Sequence, residues 1–375
     1  MTRCDDKIES PAPFGLPVLT QPVPLSPAAM RLITSGVRVL WQRIAAATPD
    51  VERSRPLLLS YDVHPTPEGP VLIEVNTNAG GMLTALEANR NTNLCCADWE
   101  HGVLQERLIE LFHRDLLGSS PQVLAIVDDD IAAQALYPEM KAIAELLRPH
   151  AASVHLIDAA ELHYESGRLR HQGEPIDCVY WRSTDFLISE ERHAAVRRAM
   201  DEGSTRVAPS PAAYAAIADK RRFLDWSHDP VLARDERSGM NFRIAETLPM
   251  ASRTAEAWYA DRANWVFKPA SGHASRGVYV GKSISRPKLT ELPADAYLAQ
   301  RYAPHPVVDR EGREWKYDVR FFADRDEIIG AVARVFHGQV VGMRTPGSGF
   351  APVSVGQTCC LLGALAEADS EVKTE

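Results

Sequence analysis

Apolar residues recur at Met30, Ile33, Val37, Leu40, Trp41 and Ile44, the spacing of a helix, with Ser26 placed to cap it and Pro27 suited to its first turn. The period then changes. Leu57, Leu58 and Leu59 lead to Asp62, a turn-rich PTPEG follows, and Val71, Leu72 and Ile73 lead into Glu74, Val75 and Asn76, which predicts a β-hairpin covered by that helix. After Gly81 the polar ALEANRNTN predicts a loop, and DWEHGVLQERLIELFHRDLLG an amphipathic helix ending at Gly118. Strand and helix alternate next: PQVLAIVDDD, YPEMKAIAELLRPH, ASVHLIDAAEL and PIDCVYWRSTDF. Such alternation argues a small α/β unit with a parallel sheet, whose ligands collect at the carboxyl ends of the strands. AAIADKRRFLDW reads as a helix crossing between lobes, and WVFKPASGHASRGVYVG as strand, glycine-bearing turn and strand. WKYDVRFFADRDEIIGAVARVF gives two alternating strands about a turn at ADRDE. The Pro-rich residues 1–24 read as an extended arm and AEADSEVKTE as a disordered tail.

Composition narrows the partners. With 375 residues, 45% hydrophobic and 24% charged, the chain suits a globular protein of two or three lobes, and a net charge of -9 argues against a broad nucleic-acid surface. The opening MTRCDDKIES lacks an apolar signal core and no apolar run reaches membrane-spanning length, so the expected setting is cytoplasmic and the expected partners are small molecules, with no nucleic acid and no membrane. The oligomeric state is left open. Cys4, Cys95, Cys96, Cys178, Cys359 and Cys360 include no CxxC pair and read as reduced thiols, buried as small hydrophobes; a vicinal pair can also be redox-active.

The chemistry lies where acids and bases interrupt apolar strands. Alternation puts Glu74 and Asn76 on one face of their strand, and folding back about Glu68 brings Asp62 opposite Glu74. Two carboxylates and an amide oxygen suit magnesium, which shares phosphates and waters as its other ligands. The plainer alternative is an amphipathic hairpin with solvated acids. Arg182, directly after CVYW, can grip a substrate carboxylate with its planar fork or pair with Asp185, and helix caps or solvated loop acids explain Asp128, Asp129 and Asp130. Lys268 ends an apolar strand ahead of SGHASRG, where Gly272, Ser275 and Gly277 form a loop able to bring backbone N–H groups to phosphate oxygens. Arg320, Arg334 and Arg344 offer cationic forks to a phosphoryl group; a solvated sheet is the alternative.

Asp62, Glu74, Asn76 and the run to Gly80 and Gly81 resemble the metal-binding end of the ATP-grasp superfamily, an Asp followed at a distance by Glu-x-Asn, small residues and Gly. IDCVYWRSTDF and ADKRRF resemble the domain preceding that fold in glutathionylspermidine-synthetase-like proteins, and the DVR strand with its partner resembles glutathione synthetase and ribosomal-protein glutamate ligases. In such chains the metal hairpin closes the domain, whereas here it stands near the N-terminus. The resemblance therefore implies a mixed α+β and α/β fold, a circularly permuted ATP-grasp fold with a small parallel pre-ATP-grasp domain. Its expected parts are an arm and permuted segment over 1–118, the pre-ATP-grasp substrate domain over 119–225, a nucleotide lobe over 226–305, the remaining C-lobe over 306–358 and a tail over 359–375. It further implies ATP and Mg2+ as cofactors, with metal at Asp62, Glu74 and Asn76. Lys220 and Lys268 would contact phosphates, together with the glycine loop. The backbone of Gln300, Arg301, Tyr302 and Ala303 would meet the adenine edge. Arg320, Arg334 and Arg344 would act on the transferring group, with Arg182 and Asp185 near the acid substrate. The implied activity is an ATP-dependent carboxylate–amine ligase working through an acyl-phosphate, on a small-molecule acid and amine. A phosphotransferase on the same fold and a degenerate nucleotide-binding module are the alternatives.

Overall fold

The computed structural model describes residues 14–90, 101–120, 122–271, 277–310, 312–343 and 345–356, with the backbone alone at 101–103. Its centre is an eight-stranded sheet. The predicted hairpin forms from Leu59–Thr66 and Gly69–Asn76, and the second from Arg313–Asp324 and Glu327–Phe336. The two lie side by side. Leu59–Thr66 runs antiparallel to Arg313–Asp324, with Asp62 opposite Arg320 and Val63 opposite Val319, although the strands come from opposite ends of the sequence. Val231–Arg234 and Asn241–Ile244 extend the sheet on one side and Gly349–Ala351 on the other, while Val307–Arg310 pairs with Arg313–Asp324. The ends meet once more where Val23–Leu25 runs parallel to Val353–Val355.

Strand alternation divides this sheet into an apolar and a charged face. Leu59, Tyr61, Val63, Val319 and Phe321 pack beneath the helix Pro27–Ala47, whose Ile33, Val37 and Leu40 are fully buried. Ser26 caps that helix by accepting from the Ala29 amide at 3.1 Å, as its position in the sequence predicts. The opposite face receives Asp62, Asp318 and Arg320 from the intervening positions. Farther along that face, Phe322, Ile329 and Val332 pack against Met82, Leu86, Leu104 and Leu108. Of the stretch 85–93 expected as a loop, residues 85–90 belong to a helix, Met82–Arg90, and 91–93 lie outside the described residues. Its polar residues mask an inward stripe of Met82, Leu83 and Leu86, and its capping group comes from a distant part of the chain.

The four-stranded parallel sheet has the order Arg206–Ala208, Cys178–Trp181, Val123–Asp128, Ser153–Asp158, all pairs parallel, in agreement with the alternating pattern. A small antiparallel sheet over His163–Glu165, Arg168–His171 and Glu174–Pro175 was not anticipated. The helix expected over 214–226 is interrupted. A π-turn at Tyr214–Ala218 gives way to extended backbone at Asp219, and Arg222–Trp226 resumes as a short helix, so that Lys220 stands at the break. A further sheet, in the order Thr247–Pro249, Tyr297–Arg301, Trp265–Pro269, Tyr279–Val280, carries Lys268 and Gln300. Among the described residues no helix is long and apolar enough to cross a membrane.

Candidate active site

Asp62, like Asp318 on the neighbouring strand, has no exposed surface. Arg320 grips it bidentately, Nε donating to Oδ1 and Nη2 to Oδ2, both at 2.8 Å. Arg334 Nη2 donates to Oδ2 at 2.8 Å while its Nε and Nη2 also hold Asp318, at 2.8 and 2.6 Å. Cross-strand register puts Asp62 beside Arg320 and Asp318 beside Arg334, and that register supplies the geometry. Burial by itself would raise the Asp62 pKa, but Arg320 and Arg334 outweigh it and hold the carboxyl well below the usual range. For Arg334, burial opposes the charge and Asp318 and Asp62 more than restore it, so the guanidinium stays firmly protonated.

Glu74 stands opposite Asp62 in the hairpin, and Asn76 opposite Ser60. The Asn76 amide reaches Asp62 Oδ2 at 3.5 Å and Ser60 Oγ at 3.4 Å. Lys220 Nζ lies 3.3 Å from Glu74 Oε1. Against a burial penalty, Lys220 and then Lys268 keep the Glu74 pKa low. Lys268 donates to Gln300 Oε1 at 2.7 Å and to Ile73 O at 3.4 Å; burial depresses its pKa, more than Glu74 restores. These facing carboxylates and the amide are a hard-oxygen donor set of the kind magnesium takes, with phosphate oxygens or water to complete it. Among the described residues no three His, Cys, Asp or Glu side chains gather into a metal cluster. Because Asp62 is already engaged by two guanidiniums, a cation suits this place only together with an anion that draws those guanidiniums to itself, as a triphosphate does.

The expected hinge is partly committed to the protein. Gln300 uses its side chain, accepting from Lys268 and donating to Thr247 Oγ1 at 3.3 Å. The amides of Arg301 and Tyr302 donate to Glu246 O and Asn264 O, and Ala303 O accepts from His64 Nδ1 at 2.9 Å, so an adenine edge would need other backbone atoms of that stretch. The Arg301 side chain turns to Glu246 at 2.8 Å. His64 went unremarked in the sequence. Its ring contacts His305 at 4.0 Å between centroids, and burial pushes the two imidazoles down to about 4 and about 3. Gly277 is described, with a left-handed φ of 71°, but Gly272, Ser275 and Arg344 lie outside the described residues, as do all the cysteines except the buried Cys178.

A second set of polar groups adjoins the first. Arg182 bonds Asn78 Oδ1 and Tyr180 Oη through Nη1, and Asn78 Nδ2 donates to Arg182 O at 3.0 Å. The alternative of an Arg182–Asp185 pair is not realised. Asp185 instead takes His193 Nδ1 at 2.8 Å and the Glu190 amide at 2.8 Å, while His193 Nε2 meets Asp129 at 2.8 Å. Asp185 thus belongs to a carboxylate–imidazole–carboxylate strut, with the buried His193 at its centre, that fixes the loop after Arg182. Asp129 also accepts from Ser183 at 2.6 Å, so it is neither a cap nor a solvated loop acid. The link to the Asp62–Glu74 hairpin is Glu139, buried, which accepts from the amides of Gly81 at 2.8 Å and Leu83 at 2.9 Å and so caps the helix Met82–Arg90 from a distant helix. Arg320 Nη1 donates to Gly80 O at 3.2 Å in the same loop.

Two solved structures align with almost the whole chain. A glutathione synthetase-like effector from Globodera pallida, in its apo form, matches at 12% identity with a TM-score of 0.54 over 91% of this chain and 90% of that chain. A Methylobacillus flagellatus protein assigned as a gamma-glutamylcysteine synthetase matches at 12% identity with a TM-score of 0.53, over 86% of this chain and 88% of that chain. The chain has an ATP-grasp-like fold. The ATP-grasp ligase PsnB, complexed with its minimal precursor, aligns over 68% of this chain and 83% of that chain at 16% identity, with a TM-score of 0.37. No family model matches the sequence, and no curated protein resembles it significantly. At such identities the ATP-grasp-like likeness is one of fold, and any chemistry has to be argued from the residues themselves.

Proposed function

We propose that the protein is an ATP-dependent carboxylate–amine ligase that activates its acid as an acyl-phosphate, on a circularly permuted ATP-grasp fold. The observation that carries this reading is Asp62 held between Arg320 and Arg334, opposite Glu74 and within reach of Asn76. Mg2+–ATP, when bound, supplies the phosphoryl group. Asp62, Glu74 and Asn76 hold the cation, and Lys220 and Lys268, gathered at Glu74, neutralise phosphate oxygens. Arg320 and Arg334 present cationic donors in a site with little water, where they stabilise the charge of the transferring group. Arg182, at the end of its parallel strand, orients the acid. The permutation is supported by strands distant in sequence, Leu59–Thr66 and Arg313–Asp324, lying side by side in the large sheet. A cytoplasmic setting and small-molecule partners complete the proposal.

A screen of acid and amine pairs for ADP release, with product mass read directly, tests it. Amine-dependent ADP release together with an amide product is the expected result. ADP release independent of amine, with a phosphorylated product, would replace the ligase by a phosphotransferase.

A further inference from the structure

The parallel sheet ends in a row of charges on one face. Leu124 and Ile126 share a core with Cys178 and Tyr180, so by alternation the residues that follow on that face are Asp128 and Arg182, just past the register pair Val127 and Trp181. Asp158 stands opposite Asp128 on the next strand. Opposite charges at neighbouring strand positions ordinarily pair. These do not. Among the described residues no carboxylate lies within ion-pair distance of Arg182, whose Nη1 rests on the neutral oxygens of Asn78 and Tyr180 and whose guanidinium lies 5.2 Å from the centre of the Tyr180 ring. Asp128 accepts from the Asp129 amide at 2.8 Å, and among the described residues it forms no ion pair. The two residues are only 7% and 6% exposed. Burial pushes the Asp128 carboxyl up to about 6, the field of Arg182 compensating in part.

A buried cation and a buried anion that make no ion-pair contact, and whose charges are met only by the longer-range field of Arg182 on Asp128 and on the buried Glu139, are costly. A molecule bringing a carboxylate to one and an ammonium to the other removes both costs together. The place also communicates with the reacting end of the site. Gly80 O accepts from Arg320, and a Cβ added at Gly80 would stand 3.3 Å from Arg182 Nη2, so the two arginines flank one residue. Resting on the ligase reading, we propose that Arg182 and Asp128 bind the carboxylate and the ammonium of a zwitterion, so that the acid substrate is an α-amino acid whose second carboxylate reacts near Arg320 and Arg334.

The test uses the full-length protein with ATP, Mg2+ and hydroxylamine in place of the unknown amine. The γ-phosphoryl group passes to a carboxylate oxygen with loss of ADP; the hydroxylamine nitrogen then attacks the acyl carbon, phosphate leaves and a hydroxamate remains. The probes are L-aspartate, L-glutamate and L-2-aminoadipate, each beside the diacid that lacks the amino group, succinate, glutarate and adipate, with acetate and benzoate as simple acids. At least one amino diacid should exceed its matched diacid in kcat/KM by roughly 10-fold or more, and Asp128→Asn should abolish that preference by raising the KM of the amino diacid alone. The wild-type ratio decides even if the variant does not fold. Equal use of an amino diacid and its matched diacid, or hydroxamate from acetate or benzoate alone, overturns the zwitterion site and leaves the ligase standing. No ADP release and no hydroxamate with any acid overturns the ligase reading and the zwitterion site with it.

Discussion

In the middle of the large sheet Asp62, Asp318, Arg320 and Arg334 satisfy one another, whereas at the carboxyl ends of the parallel strands Asp128 and Arg182 stand as neighbours without pairing. Both places are buried, and both join an acid to a base across adjacent strands. They differ in what a ligand has to do. In the sheet it must exchange partners with charges that already stabilise the fold, so structure and chemistry there are inseparable. At the strand ends it supplies partners the fold never provided, so the protein gives up stability to keep them open.

The largest expected effect follows from the paired set. Arg334→Met leaves Asp62 and Asp318 buried beside one fewer cation and should cost about 3–5 kcal/mol in urea unfolding at neutral pH. The pH sign can be checked in the same experiment. The Asp62 pKa is lower folded than unfolded, so its contribution is complete above roughly pH 4 and is lost as pH falls below that; the variant should show this acid sensitivity reduced but not abolished, because Arg320 still holds Asp62. A loss under about 1 kcal/mol would mean that the set is not interdependent. Next, Glu74→Gln should lower ATP turnover roughly 100-fold while the unfolding curve stays close to wild type, because Glu74 is half-buried at the edge of the network. Unchanged turnover would detach Glu74 from the metal site.

Glu139→Gln tests the link between the two places. The amide replaces one acceptor by a donor facing the Gly81 or Leu83 N–H, and about 1–3 kcal/mol of stability should go with it in thermal or urea unfolding. The smallest effect has the opposite sign. The Asp128 carboxyl sits higher folded, at about 6, than unfolded, so the folded state loses stability as pH rises from roughly 4 to 6. Asp128→Asn should therefore be more stable than wild type by about 1 kcal/mol above pH 6, with the gain fading towards pH 4 in a melting series. A variant that melts lower than wild type at neutral pH would show that Asp128 is compensated after all, and would erase the contrast drawn here.

Much of this was legible in the sequence. Asp62 and Glu74 face each other because strand period and turn length are local properties, and the parallel strands announced themselves as short apolar runs between helices. Long-range partners were not legible. The helix Met82–Arg90 reads as a loop until Glu139 supplies its cap, and the strut through His193 joins Asp129 and Asp185 with nothing periodic to signal it. Asp128 and Arg182 were visible as strand ends, but that they share a face and do not pair follows only from register. The break at Asp219 and Lys220 hides inside a stretch of good helix formers, where the backbone turns out to bring Lys220 to Glu74.

The seam between the chain ends also governs how the molecule can be made. Leu59–Val63 has one neighbour within its own hairpin but finds the other at Val319–Ala323, and among the described residues Val23–Leu25 pairs only with Val353–Val355. A ribosome delivers the first hairpin together with the helix Pro27–Ala47 that covers its apolar face, but long before Arg313–Asp324 exists, so its open strand edge must wait. The parallel sheet between Val123 and Ala208 draws on a nearer stretch of chain and can assemble in the meantime. Contacts this distant in sequence slow folding and expose intermediates to aggregation. The large sheet, and with it the whole arrangement around Asp62, is thus completed only after Arg313–Asp324 and Glu327–Phe336 have been made.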